Sequence, residues 1–325
     1  MGEAPERYAE QTPLNRERLL EAVALPQVTL AYQFGNSPGA GFSAAFLGLS
    51  TTLTHCLQRG IGFRLGRIHR AVGFAPRRGW CDFFAPFCGE VDAPFIDRLN
   101  RSQFPFQRRF PLSRMAARLW LRSTTRPRVR YFMFDDPVRL PAPPSGETEF
   151  AHRDFWQLRQ EIAPLIWVFN AQTRQEVAAV HKGLGLPRDY VALHIRRGDK
   201  NTEFPYVKVE RYAQYVRERI AVPGTLLVAT DDFRILREVE ARLAGWTVRS
   251  AAEPESAGYR HGDFVRLPAA EKRRRNVLLL AEVEAMRGAS HFFGSRTTNV
   301  AWLVNLLRKG EGVTWVDDER GAGAA

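Results

Sequence analysis

Val191-Ala192-Leu193-His194-Ile195 runs without a turn signal into Arg196-Arg197-Gly198-Asp199-Lys200, so an apolar run broken only by His194 ends in two guanidiniums, a carboxylate and an ammonium. Planar guanidinium forks match phosphate oxygens two at a time, and an ammonium adds a compact point charge. The chemistry such a cluster offers is the holding of a di- or triphosphate group. Departure of a phosphate leaves negative charge on an oxygen, and fixed cations are the usual means of stabilising it. Arg196 is the first choice for that contact. Arg197 points to the opposite face if the strand continues, which would let it lock the loop through Asp199 or Asp232, and Lys200 is a second cation. Asp231 and Asp232 are adjacent rather than alternating, so they do not make an Asp-x-Asp metal site, and no metal is expected.

An apolar run of this kind bounded by Gly reads as a buried strand of a parallel sheet, and in open α/β sheets ligands bind outside the carboxyl ends of such strands. The pattern after it repeats: strand Tyr190–Ile195, helix Val209–Ile220, strand Thr225–Ala229, helix Phe233–Leu243, strand Trp246–Arg249, helix Ala269–Met286, strand His291–Phe293, helix Thr298–Leu307 and strand Gly312–Val316. Strands alternating with helices predict a doubly wound parallel sheet with every carboxyl end on one side. The polar segments after those ends, Arg196–Lys200, Thr230–Asp232 and Gly294–Asn299, should therefore face one cleft.

The first half is harder to read. Val28–Phe34 predicts a strand, Gly35–Gly41 a Gly-rich loop and Phe42–Gln58 a helix stopped at Gly60, an arrangement that can cradle an anion or simply make a tight turn. From Arg64 to Gly146, Pro, Phe and Arg interleave, which predicts loops and short helices; Trp80-Cys81-Asp82-Phe83-Phe84 reads as packing. Apolar residues at helical spacing from Asp154 to Gly183 predict helices bridging to the second half. The division expected is a tail over 1–27, an irregular α/β domain over 28–165 and a Rossmann-like domain over 166–320.

The chain of 325 residues carries a net charge of +12, which fits a polyanionic partner. Arg-rich patches occur around Arg108–Arg130 and Arg273–Arg275, but no aromatic-plus-basic or zinc-knuckle pattern accompanies them, so nucleic acid is not the expected partner. Cys56, Cys81 and Cys88 have no metal-ligand spacing and leave an odd thiol after any pairing. No run reaches the roughly 18 apolar residues of a membrane span, and the polar Met1–Arg18 segment is unlike a signal peptide. The expectation is a soluble chain, cytoplasmic unless it is part of a longer, anchored protein.

Taken in order, His194-Ile195-Arg196-Arg197-Gly198-Asp199-Lys200, Leu227-Val228-Ala229-Thr230-Asp231-Asp232 and Gly294-Ser295-Arg296-Thr297-Thr298-Asn299 resemble the α1,6-fucosyltransferase family, which includes the core fucosyltransferase of N-glycans and the rhizobial nodulation fucosyltransferase. The match covers roughly Asp154 to Leu307. The His-x-Arg-Arg-x-Asp core is shared with α1,2- and protein O-fucosyltransferases, whereas Lys200 and the Ala-Thr-Asp-Asp segment favour the α1,6 branch. The resemblance implies a GT-B-like α/β fold, two Rossmann-like domains facing a cleft. It also implies inverting transfer from GDP-fucose to a glycan acceptor, without metal or other cofactor.

By the same resemblance Glu203 is the general base, in a loop one residue shorter than the family's; the bland alternative is a solvated carboxylate. His194 contacts the nucleotide or is a core histidine, and Asp231 and Asp232 orient the arginines or cap the next helix. Glu282 is aligned with the family's guanine-binding Asp, with Glu284 as the nearby competitor. Thr297, Thr298 and Asn299 open a helix whose hydroxyls and N–H groups could hold phosphate, Thr298-Asn299 standing where the family has Ser-Gln. Tyr212 reads as packing. The competing classes are another fucosyl linkage, a basic nucleic-acid-binding protein, and a lectin-like relic without turnover.

Overall fold

Apolar runs alternating with amphipathic stretches build two parallel sheets in the computed structural model, which describes residues 14–24, 28–35, 41–69, 71–92, 128–132 and 148–318. The first sheet contains β1 (Val28–Tyr32), β2 (Gly62–Gly66), β3 (Glu90–Val91) and β4 (Arg128–Phe132) in the order β3-β2-β1-β4, all parallel. The second contains β5 (Val191–Ile195), β6 (Thr225–Thr230), β7 (Thr247–Arg249), β8 (His291–Gly294) and β9 (Val313–Trp315) in the order β7-β6-β5-β8-β9, again parallel. This is the expected α/β class with two parallel sheets.

Around the first sheet lie α1 (Arg16–Val23) and α2 (Phe42–Gln58); α3 (Phe155–Ile166) and α4 (Ala171–Leu184) lead into the second half. There follow α5 (Val209–Arg219), α6 (Arg234–Arg242), the single turn α7 (His261–Phe264), α8 (Ala269–Gly288) and α9 (Asn299–Leu307). Asp154 and Asn170 start α3 and α4 by accepting from the N–H groups of Gln157 and Thr173, each at 2.8 Å, which satisfies donors the first turn would leave orphaned.

All five residues of β5 are buried, as a central parallel strand covered on both faces requires. Their period of two divides the core. Val191, Leu193 and Ile195 pack with Tyr212 and Val216 of α5. Ala192 instead joins a larger cluster that runs from Leu30, Phe63 and Trp80 through Ile162 and Trp167 to Leu280, Phe292 and Leu303. The two sheets therefore share one continuous apolar core. The Trp80–Phe84 segment belongs to it: the two rings stack at 4.3 Å and the Trp80 indole donates to the Ala85 carbonyl at 2.9 Å.

The region read as loops and short helices also supplies the strands β3 and β4, while residues 93–127 and 133–147 lie outside the described residues. So do residues 36–40, the centre of the Gly-rich loop. Cys56, Cys81 and Cys88 are unpaired thiols. Among the described residues no helix is long and apolar enough to cross a membrane.

Candidate functional site

After β5 the chain crosses to β6 on one side, then returns to β8 on the other, so the strand order reverses between β5 and β8. At such a switch point the connections diverge to opposite faces and leave a crevice at the strand carboxyl ends. A pocket occupies it. Arg196, Arg197 and Lys200 line it from the end of β5, and Ser295, Thr297 and Thr298 from the end of β8. Residues about 100 positions apart are brought together because β5 and β8 pair directly, Leu193 opposite Phe293.

The two arginines have different surroundings. Arg196 is clamped between carboxylates: one terminal nitrogen donates to Asp231, the other to Asp199 at 2.7 Å and, more weakly, to the Tyr259 carbonyl at 3.4 Å. Its guanidinium also lies 4.8 Å from the centre of the Tyr259 ring. Arg197 pairs with no carboxylate among the described residues; it donates to the Arg196 carbonyl at 3.0 Å and stands 5.0 Å from the centre of the Tyr206 ring. The expected locking of the loop by Arg197 thus falls to Arg196. The reason is local: β5 stops at Ile195, and the chain turns at Gly198, φ +63°, into a short 3₁₀ segment over Gly198–Thr202, so the strand alternation no longer applies. Lys200 donates to Glu203 at 2.5 Å, and the Glu203 side chain, outside the pocket lining, is 59% exposed. With Arg196 and Lys200 offset by carboxylates, Arg197 is the pocket cation left for an anionic guest.

Asp231 does more than hold Arg196. It accepts from the N–H groups of Arg197 and Tyr259, each at 2.7 Å, while Asp199 accepts from the His261 N–H at 2.7 Å. These bonds stitch the segment after β7 onto the loop after β5. The stitch demands two glycines that touch through their backbones. A Cβ on Gly258 (φ +99°) would lie 2.6 Å from the Gly198 Cα, and one on Gly198 would strike the Tyr259 carbonyl. We expect Gly258→Ala to cost about 1–3 kcal/mol in backbone strain alone, visible as a Tm lowered by several degrees, with pocket function reduced further because Tyr259 shifts. An unchanged Tm would mean the segment adapts. Tyr259 and Gly258 escaped sequence reasoning; the signal was the small-residue run Ser256-Ala257-Gly258 set against an aromatic side chain.

The remaining expected residues divide. His194 is buried on the α9 side of β5, its Nδ1 3.2 Å from Thr298 Oγ1, and burial together with the Arg196 charge pushes its pKa down to about 3, so the ring is neutral. Thr298 caps α9 by accepting from the Ala301 N–H at 3.3 Å, and Ser295 links Thr297 (2.6 Å) to Asp317 (2.7 Å). Asn299, the first residue of α9, is exposed. Asp232 faces away from Arg196: it accepts from the Arg234 N–H and guanidinium at 2.6–3.1 Å. Tyr212 is buried in the second core but also touches the pocket.

Glu284 accepts from the Trp167 indole at 2.6 Å and from Arg287 at 3.2 Å, whereas Glu282 Oε1 is buried with no partner among the described residues. Burial, reinforced by the neighbouring Asp231 charge, pushes the Glu282 pKa up to about 8. An unpaired buried acceptor is costly, and a ligand that brings donors removes that cost. Arg273, Arg274 and Arg275 are each paired with glutamates, namely Glu176, Glu253 and Glu271, so this patch offers little free positive charge.

The fold is similar to that of NodZ α-1,6-fucosyltransferase crystals soaked with GDP-fucose, at 12% identity and TM-score 0.52 over 86% of this chain and 92% of that one. It is similar to the fucosyltransferase NodZ from Bradyrhizobium, at 12% identity and TM-score 0.51 over 86% and 93%. It is also similar to POFUT1 in complex with GDP, at 10% identity and TM-score 0.50 over 90% and 99%. The likeness is one of fold, GT-B-like. No protein-family model and no curated protein matches the chain.

Proposed function

We propose that the chain is a GDP-fucose-dependent, inverting fucosyltransferase acting on a glycan, with α1,6 linkage favoured over α1,2 or protein O-fucosylation. The observation that carries the reading is the cationic pocket at the switch point, with Arg197 free of carboxylates among the described residues beside a clamped Arg196 and the start of α9. Lys200 and the Ala229-Thr230-Asp231-Asp232 segment support the α1,6 branch by resemblance.

The geometry supplies a division of labour. Arg197 takes the diphosphate in the ground state. Arg196, fixed by Asp199 and Asp231, turns its remaining N–H groups to the β-phosphate oxygen that receives the electron pair as the bond to the fucosyl carbon breaks. The acceptor hydroxyl attacks that carbon from the opposite face, and its proton passes to Glu203 once the carboxylate leaves Lys200. Lys200 is then released toward the phosphates. Thr297, Thr298 and the first N–H groups of α9, beside Asn299, hold phosphate oxygens. Since guanidiniums do this work, turnover should survive EDTA and change only modestly with added Mg²⁺ or Mn²⁺. Complete loss in chelator, restored by a divalent ion, would remove the arginines as leaving-group stabilisers.

Guanine offers N1–H and a 2-amino group side by side, a fork for the Glu282 carboxylate. Because Glu282 holds a proton up to about pH 8 in the free protein, GDP binding should expel that proton, and affinity should rise between about pH 6 and 8 by at most about tenfold per unit. The sign for stability is opposite. With its folded pKa above the ordinary 4.5, this group's contribution is full below 4.5 and is lost as pH rises through 8. Calorimetric GDP titration across this range tests the assignment; a pH-independent affinity removes Glu282 from the guanine site.

The reading itself is tested by thermal melting with GDP and, separately, single-stranded RNA. A ligand that binds only the native state raises Tm with its concentration. GDP should do so and RNA should not; protection by RNA alone would make the protein a nucleic-acid binder.

A further inference from the structure

Aromatic side chains rarely stand in water without a reason when they gather beside a polar pocket. Among the described residues, the exposed large apolar side chains include Phe204 at 47%, Tyr206 at 38% and Trp156 at 60%. Trp156 stands apart on α3. Phe204 and Tyr206 flank Pro205, directly after Glu203, and Tyr206 and Pro205 line the mouth of the cationic pocket.

These two rings are held in place rather than left to swing. The Lys200 ammonium lies 5.3 Å from the centre of the Phe204 ring, and the Arg197 guanidinium 5.0 Å from that of Tyr206. The Tyr206 hydroxyl donates to the Gly198 carbonyl at 2.5 Å, and the Phe204 N–H donates to the Lys200 carbonyl at 3.0 Å. Pro205 fixes its own φ and restricts Phe204 before it. The same Lys200 ammonium touches Glu203, so the two rings and the Glu203 carboxylate form one patch.

A rigid ring with a negative π face and free surface suits a partner whose face carries C–H groups polarised by neighbouring oxygens. A pyranose ring with mainly equatorial hydroxyls is such a partner: its axial C–H bonds make one face apolar while its rim stays polar. We infer that Phe204 and Tyr206 form the acceptor platform, stacking a pyranose unit of an oligosaccharide next to Glu203. The inference rests on the sugar-transfer reading above. Phosphate recognition does not need Phe204, which is absent from the pocket lining. Phe204 is therefore the half of the platform that bears on the acceptor alone, whereas Tyr206 also borders the phosphate pocket.

The test applies the full chain, saturated with GDP, to an array of immobilised oligosaccharides. Wild type should be retained on glycans containing equatorially hydroxylated pyranoses. Phe204→Ala should weaken that retention by roughly tenfold. Phe204→Leu, which keeps apolar bulk but has no π face, should weaken it nearly as much, Phe204→Tyr should restore it, and Trp156→Ala should leave it unchanged. GDP affinity, measured separately, should be the same in all these variants. Retention on no glycan, or equal retention by Phe204→Ala and wild type, overturns the platform even if GDP binds normally. Failure of wild type to bind GDP is the different result, the one that removes the sugar-transfer reading.

Discussion

Arg196→Ala is expected to lower fucose transfer by about 100-fold or more, the usual worth of a transition-state charge contact. The surroundings of Arg196 enlarge the effect. Without the guanidinium, Asp199 and Asp231 lose a shared partner at the pocket wall and repel the diphosphate, so GDP affinity falls as well. Arg196→Lys should rescue little. A point charge cannot bridge two carboxylates and still present N–H groups to the phosphate. Arg197→Ala, which breaks no ion pair among the described residues, should act mainly on GDP affinity and less on turnover. Steady-state kinetics on purified variants checks both; near-normal turnover by the Lys variant would take Arg196 out of the mechanism.

Glu203→Gln should also lower turnover by about 100-fold or more, while GDP affinity stays nearly intact. A base acts at the chemical step, whereas the arginines also hold the ground-state diphosphate. The substitution leaves Lys200 without its ion pair, but the Glu203 side chain is 59% exposed and its amide replacement can still accept from Lys200, so the fold should persist. Slow hydrolysis of GDP-fucose should continue, because the Arg196 and Arg197 contacts to the leaving group are untouched. Turnover within about threefold of wild type would place the base elsewhere. Asp82 and Glu90, the carboxylates beside the aromatic Trp80–Phe87 segment of the first half, are poor replacements. Asp82 accepts from the N–H groups of Arg77, Arg78 and Gly79 at 2.8–3.0 Å, and Glu90 takes the Cys81 thiol at 3.0 Å.

The second sheet was legible in β5, β6 and β8, whose burial leaves apolar runs ending at a Gly or an abrupt cluster of charge, while β7 and β9 at its edges are only partly buried. The first was not. In β2, Gly62-Phe63-Arg64-Leu65-Gly66, glycines at both ends and a central Arg hide the strand, and β3 has only two residues. The site was legible in its charges and illegible in their pairing. That Arg196 and Arg197 stand at a strand end follows from the sequence. Which of them is clamped depends on Gly258 and Tyr259, some 60 positions away, arriving against Gly198. Local periodicity has no access to such a crossing. Glu284 and Glu282 look alike as residues two apart on one helix; only the Trp167 indole, brought from the other side of the shared core, distinguishes them.

The most direct test is release of fucose from GDP-fucose by the full chain in EDTA, with and without a glycan acceptor mixture. Wild type should release or transfer fucose well above the spontaneous rate, and Arg196→Lys should fall back toward it by about 100-fold. GDP-fucose left intact by wild type, while GDP still raises its Tm, would contradict enzymatic transfer and leave a nucleotide-binding protein without turnover.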